Sequence, residues 1–113
     1  MTAERRREAQ GGVTVSPWPE SASPDEGRLE RALRDEGLVP RWWSSRPGDR
    51  FAEHRHAAHK VLYCARGGIR FTIEPAGERL DLRPGDRLDL PAGVAHTAVT
   101  GPRGVTCVEA FRE

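Results

Sequence analysis

Between residues 69 and 74 apolar and polar side chains alternate: Ile69, Phe71 and Ile73 are apolar, and Arg70, Thr72 and Glu74 lie between and after them. Successive side chains of a strand leave on opposite faces, so this period of two describes a strand with one dry face. Leu80/Leu82, Leu88/Leu90 and Val105/Cys107 carry the same spacing further along the chain. Turn signals at 47–48, 67–68, 75–77, 84–85, 91–93 and 101–104, rich in proline and glycine, divide these segments into short pieces. From residue 41 onward the pattern predicts an all-β fold, an antiparallel sandwich or barrel.

The pentapeptide Arg46-Pro47-Gly48-Asp49-Arg50 recurs letter for letter as Arg83-Pro84-Gly85-Asp86-Arg87. Pro-Gly-Asp builds a tight turn. Each copy leads into a strand running toward a histidine, which suggests two related halves. Ahead of the strands one helix is predicted over 24–36. Ser23 is its N-cap candidate, Pro24 suits the first helical position, and Asp25 and Glu26 favour the positive helix end. Leu29 and Leu33 share one face, and Gly37 is a plausible stop before Pro40. Residues 1–22 read as an arm: Arg5-Arg6-Arg7, Gly11-Gly12, a β-prone Val13-Thr14-Val15, then Pro17-Trp18-Pro19. The arm is either a solvated tail or an edge strand added at 13–18 to this subunit or a partner. The organisation is therefore an arm at 1–22, a helix and connection at 23–40, and a β domain at 41–113.

Charge and size narrow the function. At 113 residues and 12.5 kDa the chain is one domain, hiding roughly two-thirds of its unfolded surface. Leu, Val, Ile and Phe number only 21, but 18 basic against 17 acidic side chains leave a net charge of +1, which opposes charge-driven disorder. Near-neutrality also argues against nucleic-acid binding, which draws on a basic excess. No run approaches the ~18 apolar residues of a membrane span. The opening MTAERRREAQGG has no apolar leader, so a cytoplasmic location is expected. Cys64 and Cys107 are too few for a disulfide framework and sit in apolar surroundings, as reduced cysteines do. Seventeen of the 18 basic residues are arginine; the single lysine is Lys60, among the histidines.

All four histidines fall within 54–96. His54 and His56 are two apart, so on a strand both imidazoles leave one face and can converge on a first-row transition metal. His96 follows a Pro-x-Gly turn that would aim a late strand's side chain inward. The segment 48–67, GDRFAEHRHAAHKVLYCARG, resembles the first signature of the cupin superfamily, with Gly48, His54, His56 and Gly67 at the family spacing. The segment 85–100, GDRLDLPAGVAHTAVT, resembles the second, through Gly85, Pro91, Gly93 and His96. The resemblance covers about 41–113. It implies an antiparallel jelly-roll, or double-stranded β-helix, barrel with His54, His56 and His96 holding a divalent transition metal (iron, manganese, nickel or zinc) near one end of the interior.

Two positions depart from that pattern: the family's glutamate ligand falls at Lys60, and its closing asparagine at Thr100. A lysine charge about 4 Å from a dication would be repelled by roughly 8 kcal/mol at an effective dielectric near 20. That rivals a micromolar binding energy. Lys60 must therefore be turned away and paired with an acid, be neutral, pair with an anionic substrate, or stand in a site without metal. The expectation is a Lys60 turned outward or paired with an acid, beside a three-histidine metal. His59 could substitute as a ligand, although a solvated loop position suits it. By strand parity Cys64 shares the face of Lys60, and Glu109 shares that of Cys107; Glu109 could pair with Lys60 or act as a base. His59, Lys60, Cys64 and Glu109 are thus candidates for lining the site, and no catalytic residue is assignable. Of the adjacent Trp42 and Trp43, one points in and the other out.

Three functions fit. One is a small metalloenzyme acting on a small anionic molecule by dioxygenase, isomerase or lyase chemistry. Another is a non-catalytic small-ligand-binding cupin, in one form metal-free with Lys60 in the pocket. The third is a barrel whose site has decayed at residue 60. A homodimer is expected, with the arm as the strand to exchange.

Overall fold

A computed structural model of the protein describes residues 6–113; Arg5 of the arginine run lies outside them. In chain order the elements are β1 (Arg7–Glu8), a short 3-10 turn (Gln10–Gly12), β2 (Thr14–Ser16), α1 (Glu26–Asp35), β3 (Arg41–Ser45), β4 (Arg50–His54), β5 (His59–Ile73), β6 (Glu78–Leu82), β7 (Arg87–Leu90) and β8 (His96–Arg112). Every strand pairing is antiparallel.

Two long strands organise the rest. β5 and β8 pair from His59↔Arg112 to Ile73↔His96, and each changes its other neighbour halfway. β5 pairs with β7 through residues 60–63 and with β6 through residues 69–73. β8 pairs with β4 near its start and with β3 near its end. Two sheets therefore share one bent pair of strands. Leu62, Cys64, Leu88 and Leu90 of one sheet and Phe71, Ile73, Leu80 and Leu82 of the other fill a common core. This is the jelly-roll, or double-stranded β-helix, architecture, and its hydrogen-bonded ladder stays open rather than closing into a ring.

The glycines at 67–68 and 101–104 are bends inside β5 and β8, not the turns that composition predicts. Gly67 has φ +76°, and a Cβ there would stand 2.0 Å from the carbonyl oxygen of Gly104. The two backbones touch where the sheets fold over, and the ladder register shifts on either side of Gly67. Alternation on both sides of a glycine describes a bend and a hairpin equally well.

The repeated pentapeptides form the same turn. In each, the aspartate carboxylate accepts from the leading arginine's backbone N–H at 2.8 Å: Asp49 from Arg46, and Asp86 from Arg83. Their own N–H groups return to the arginine carbonyls at 3.1 and 2.9 Å. Gly48 and Gly85 sit at φ +77° and +91° after a proline, the type II arrangement that requires glycine.

α1 begins two residues later than its proline suggests. Asp25, not Ser23, is the cap: its carboxylate accepts from Gly27 N at 2.8 Å. At the other end Gly37 N bonds Arg34 O and Leu38 N bonds Leu33 O, a Schellman closure. Leu29 and Leu33 are buried against Val61, Ala65, Val108 and Ala110 on the outer face of β5 and β8. Each leucine buried this way contributes about 1.5–3 kcal/mol. The arm pairs within its own subunit, β2 against β7 from Thr14↔Asp89 to Ser16↔Arg87, with Val13 and Val15 in the main core.

Candidate metal centre

His54 ends β4, His56 follows two residues later, and His96 opens β8 directly opposite His54. A register shift between Phe51 and His54 marks a bulge in β4. Three residues apart, these two would face opposite ways on a regular strand; the bulge lets both line the same cavity. The three rings lie with centroids 4.7 Å (54–56), 4.4 Å (54–96) and 5.2 Å (56–96) apart. One nitrogen of each lies within 4.8 Å of the others.

Hydrogen bonding sets the tautomers. His54 Nδ1 donates to Ala52 O at 2.8 Å and His96 Nδ1 to Val94 O at 3.0 Å. A carbonyl only accepts, so both rings carry their proton on Nδ1 and keep a lone pair on Nε2. Nε2 of His56 and of His96 is buried without any partner. A buried nitrogen left unpaired in this way costs about 1–3 kcal/mol, a cost that a cation between the rings would remove. Burial first, then the positive charge of Lys60 and the neighbouring imidazoles, push His56 down to about 4. Burial likewise lowers His96 against the opposing Val94 carbonyl bond. Both are neutral near pH 7, the state in which an imidazole ligates. The donor set therefore fits a first-row transition metal.

The single lysine is paired. Lys60 Nζ lies 3.2 Å from Glu109 Oε1, both side chains being nearly buried, and 5.5 Å from the Phe111 ring centroid. Trp43 Nε1 donates to the same Glu109 oxygen at 2.9 Å. No described group hydrogen-bonds Oε2, which leaves that oxygen free for a ligand. Beside the histidines opens a cavity of ≈ 410 Å³. Its walls are aromatic (Trp42, Trp43, Phe51, Phe71), and His54, His96, Lys60, Glu109 and Arg41 supply its polar groups.

The other candidates go elsewhere. His59 leaves the cluster and meets Asp89, Nε2 to Oδ1 at 3.0 Å. Cys64 is fully buried in the core and does not reach the cavity. Both tryptophans touch the cavity, Trp42 while more exposed and bonded to Glu30. Arg41 and Phe51 escape a sequence reading. Parity along β3 would have placed Arg41 with Trp43, but Phe51 needs the bulge.

Residues 41–107 match the sequence profile of the cupin domain. No curated protein sequence matches the chain. Among solved structures it superposes on acireductone dioxygenase from Bacillus anthracis, with a cadmium ion in its active center, at TM-score 0.62 and 18% identity, over 88% of this chain and 77% of that one. DMSP lyase DddQ from Ruegeria pomeroyi gives TM-score 0.61 and 24% identity over 67% of this chain, which spans 38% of the lyase. A double-stranded beta-helix protein from Klebsiella pneumoniae gives 0.57 and 20% over 98% and 85%. At these identities the structural likeness speaks for the fold, and the profile, covering more than half of the residues and all three converging histidines, makes the chain a member of the cupin domain family.

Proposed function

We propose that the chain binds a divalent transition metal through His54, His56 and His96 and acts on a small anionic molecule in the adjoining cavity. One observation carries this reading: three imidazoles converge at the cavity, with the Nε2 atoms of His56 and His96 buried and unpartnered. A metal held there would supply Lewis-acid or dioxygen chemistry. The chain's own residues set what it acts on. Three neutral ligands leave the metal's charge uncancelled, Lys60 and Glu109 cancel each other, and Arg41 adds a cation at the wall. The cavity is therefore net positive and suits an anion. The aromatic walls exclude water and hold an apolar portion flat. Glu109, tethered through Oε1 alone, keeps Oε2 to accept a proton or hydrogen bond from the bound molecule. The dioxygenase and the lyase among the structural neighbours favour oxygenation or lyase chemistry as the reaction class.

The test is metal content per chain by elemental mass spectrometry on untagged protein, beside His54→Ala and His96→Ala. Near-stoichiometric metal in wild type, lost in both variants, is expected. A wild type that stays empty after reconstitution overturns the reading and leaves a metal-free ligand pocket. We also infer a cytoplasmic homodimer. With the arm already paired to β7, the edge that carries exposed apolar surface is β3, beside Val39 and Trp42. Sedimentation equilibrium at twice 12.5 kDa is the expected result.

A further inference from the structure

We propose that Cys64 and Cys107 are a modification site: a dithiol that closes into a reversible intrachain disulfide inside the barrel. The two residues stand directly opposite each other on β5 and β8. Cys64 N donates to Asp86 O at 3.0 Å, and Cys64 O accepts from Gly85 N at 2.6 Å. Both backbone groups of Cys64 thus point away from β8, which makes Cys64/Cys107 a non-hydrogen-bonded pair. At such pairs the Cα atoms approach to about 4.5 Å, inside the 4.4–6.8 Å that a disulfide spans. Both side chains enter the same core cluster. The neighbouring Cys64 thiol, then burial, raises the Cys107 thiol far above its ordinary range. Cys107 therefore rests as a protonated thiol.

Access comes from the break in the ladder beside this rung. The register slips between Cys64 and Arg66, and Cys64 Sγ contacts the carbonyls of Arg66 and Gly67, each at 3.7 Å. A local opening there exposes one sulfur to a small oxidant. With hydrogen peroxide the first thiol becomes a sulfenic acid and releases water. The second thiol then attacks that sulfur, forming the S–S bond and releasing a second water; two thiols and one peroxide give one disulfide and two waters. The rung lies two steps from Leu62↔Glu109 and four from Lys60↔Phe111 on the same ladder. The bond would therefore stiffen the strands that carry the Lys60–Glu109 pair. In a reducing compartment such a bond is transient and reports oxidant.

The experiment treats folded protein with hydrogen peroxide, removes the excess with catalase, alkylates in denaturant and reads the intact mass. Expected are a species without alkylatable thiols, two hydrogens lighter, and recovery of both thiols by dithiothreitol. Cys64→Ser and Cys107→Ser should instead keep an oxygen adduct or a free thiol. The closed form should melt several degrees above the reduced one. Two thiols still alkylatable, oxygen added to each sulfur without closure, linkage between chains, or closure only in urea would each overturn the proposal. A closed form that melts lower would equally show that this rung does not take the bond without strain.

Discussion

Lys60 and Glu109 face each other diagonally across β5 and β8, Nζ to Oε1 at 3.2 Å, in the wall of the cavity that His54 and His96 also line. Where a fourth, anionic ligand would stand in the family pattern, this chain has a cation, and it supplies the counter-charge from the opposite strand. The pair is nearly buried, so its worth lies in not being half-removed. Glu109→Gln keeps the Trp43 hydrogen bond but leaves the Lys60 charge uncompensated. Breaking a buried pair by one partner costs about 3–5 kcal/mol, and chemical denaturation should show a loss of that order. Metal affinity should fall at least tenfold, about 1.4 kcal/mol, because an unpaired ammonium then faces the cation. Lys60→Met combined with Glu109→Gln should recover most of both. A double variant as weak as the single one would show that the pair is not the relevant charge.

Acid should weaken the metal-free protein through its histidines. His56 titrates near 6.5 when unfolded and at about 4 in the fold, and His96 is shifted in the same direction. Between those values the unfolded chain binds more protons than the folded one, so stability is full above about 6.5 and is lost as pH falls toward 4. Metal binding should be lost over the same window, since protons compete for the same nitrogens. Melting temperature recorded from pH 7.5 to 4.5 on chelator-treated protein should decline, and His56→Gln should flatten the decline. An unchanged slope in that variant would place the titrating group elsewhere.

Much of this was legible in the sequence, and the residues show why. Ile69, Phe71 and Ile73 could only be a strand with one buried face, and the two Pro-Gly-Asp turns announced their own conformation, because both signals are local. His54, His56 and His96 were readable because the turns fix the spacing around them. What failed was everything decided across the ladder. Gly67 and Gly104 look like turn residues and are a point of contact between two bent strands. Phe51 joins the cavity only because β4 slips its register before His54. Cys64 shares the parity of Lys60 but lies too deep to meet the cavity. No spacing rule contains a register shift. One further miss is local: Asp25 takes the helix cap from Ser23.

The helix offers a way to separate scaffold from site. Leu33 is fully buried against Val61 and Val108, on the face of β5 and β8 opposite the cavity. Leu33→Ala should cost about 2–5 kcal/mol of unfolding free energy while leaving metal stoichiometry at native temperature unchanged. Calorimetry with elemental analysis of the same sample checks both halves. A variant that melts early and also loses its metal would mean that α1 supports the histidines through the sheet.

The two copies of the repeated turn should not respond alike. Asp49 is exposed and its carboxylate serves only its own turn, accepting from Arg46 N and from the Ser45 hydroxyl. Asp86 is 4% exposed and does two jobs: Oδ2 accepts from Arg83 N at 2.8 Å, and Oδ1 accepts from Trp18 N at 3.3 Å. That second contact ties the segment before α1 to the turn over which Trp18 packs. There a Cβ on Gly85 would meet the indole at 2.4 Å. Asp86→Ala leaves two donors without their acceptor in a closed environment, and each such loss costs about 1–3 kcal/mol. Asp49→Ala leaves donors that water can reach, so its effect should be clearly smaller. Urea denaturation of the two variants side by side gives the comparison. Equal losses would mean that the Trp18 contact adds nothing to the fold, and that the segment leading into the helix is held by the Arg28–Glu20 pair and the helix packing alone.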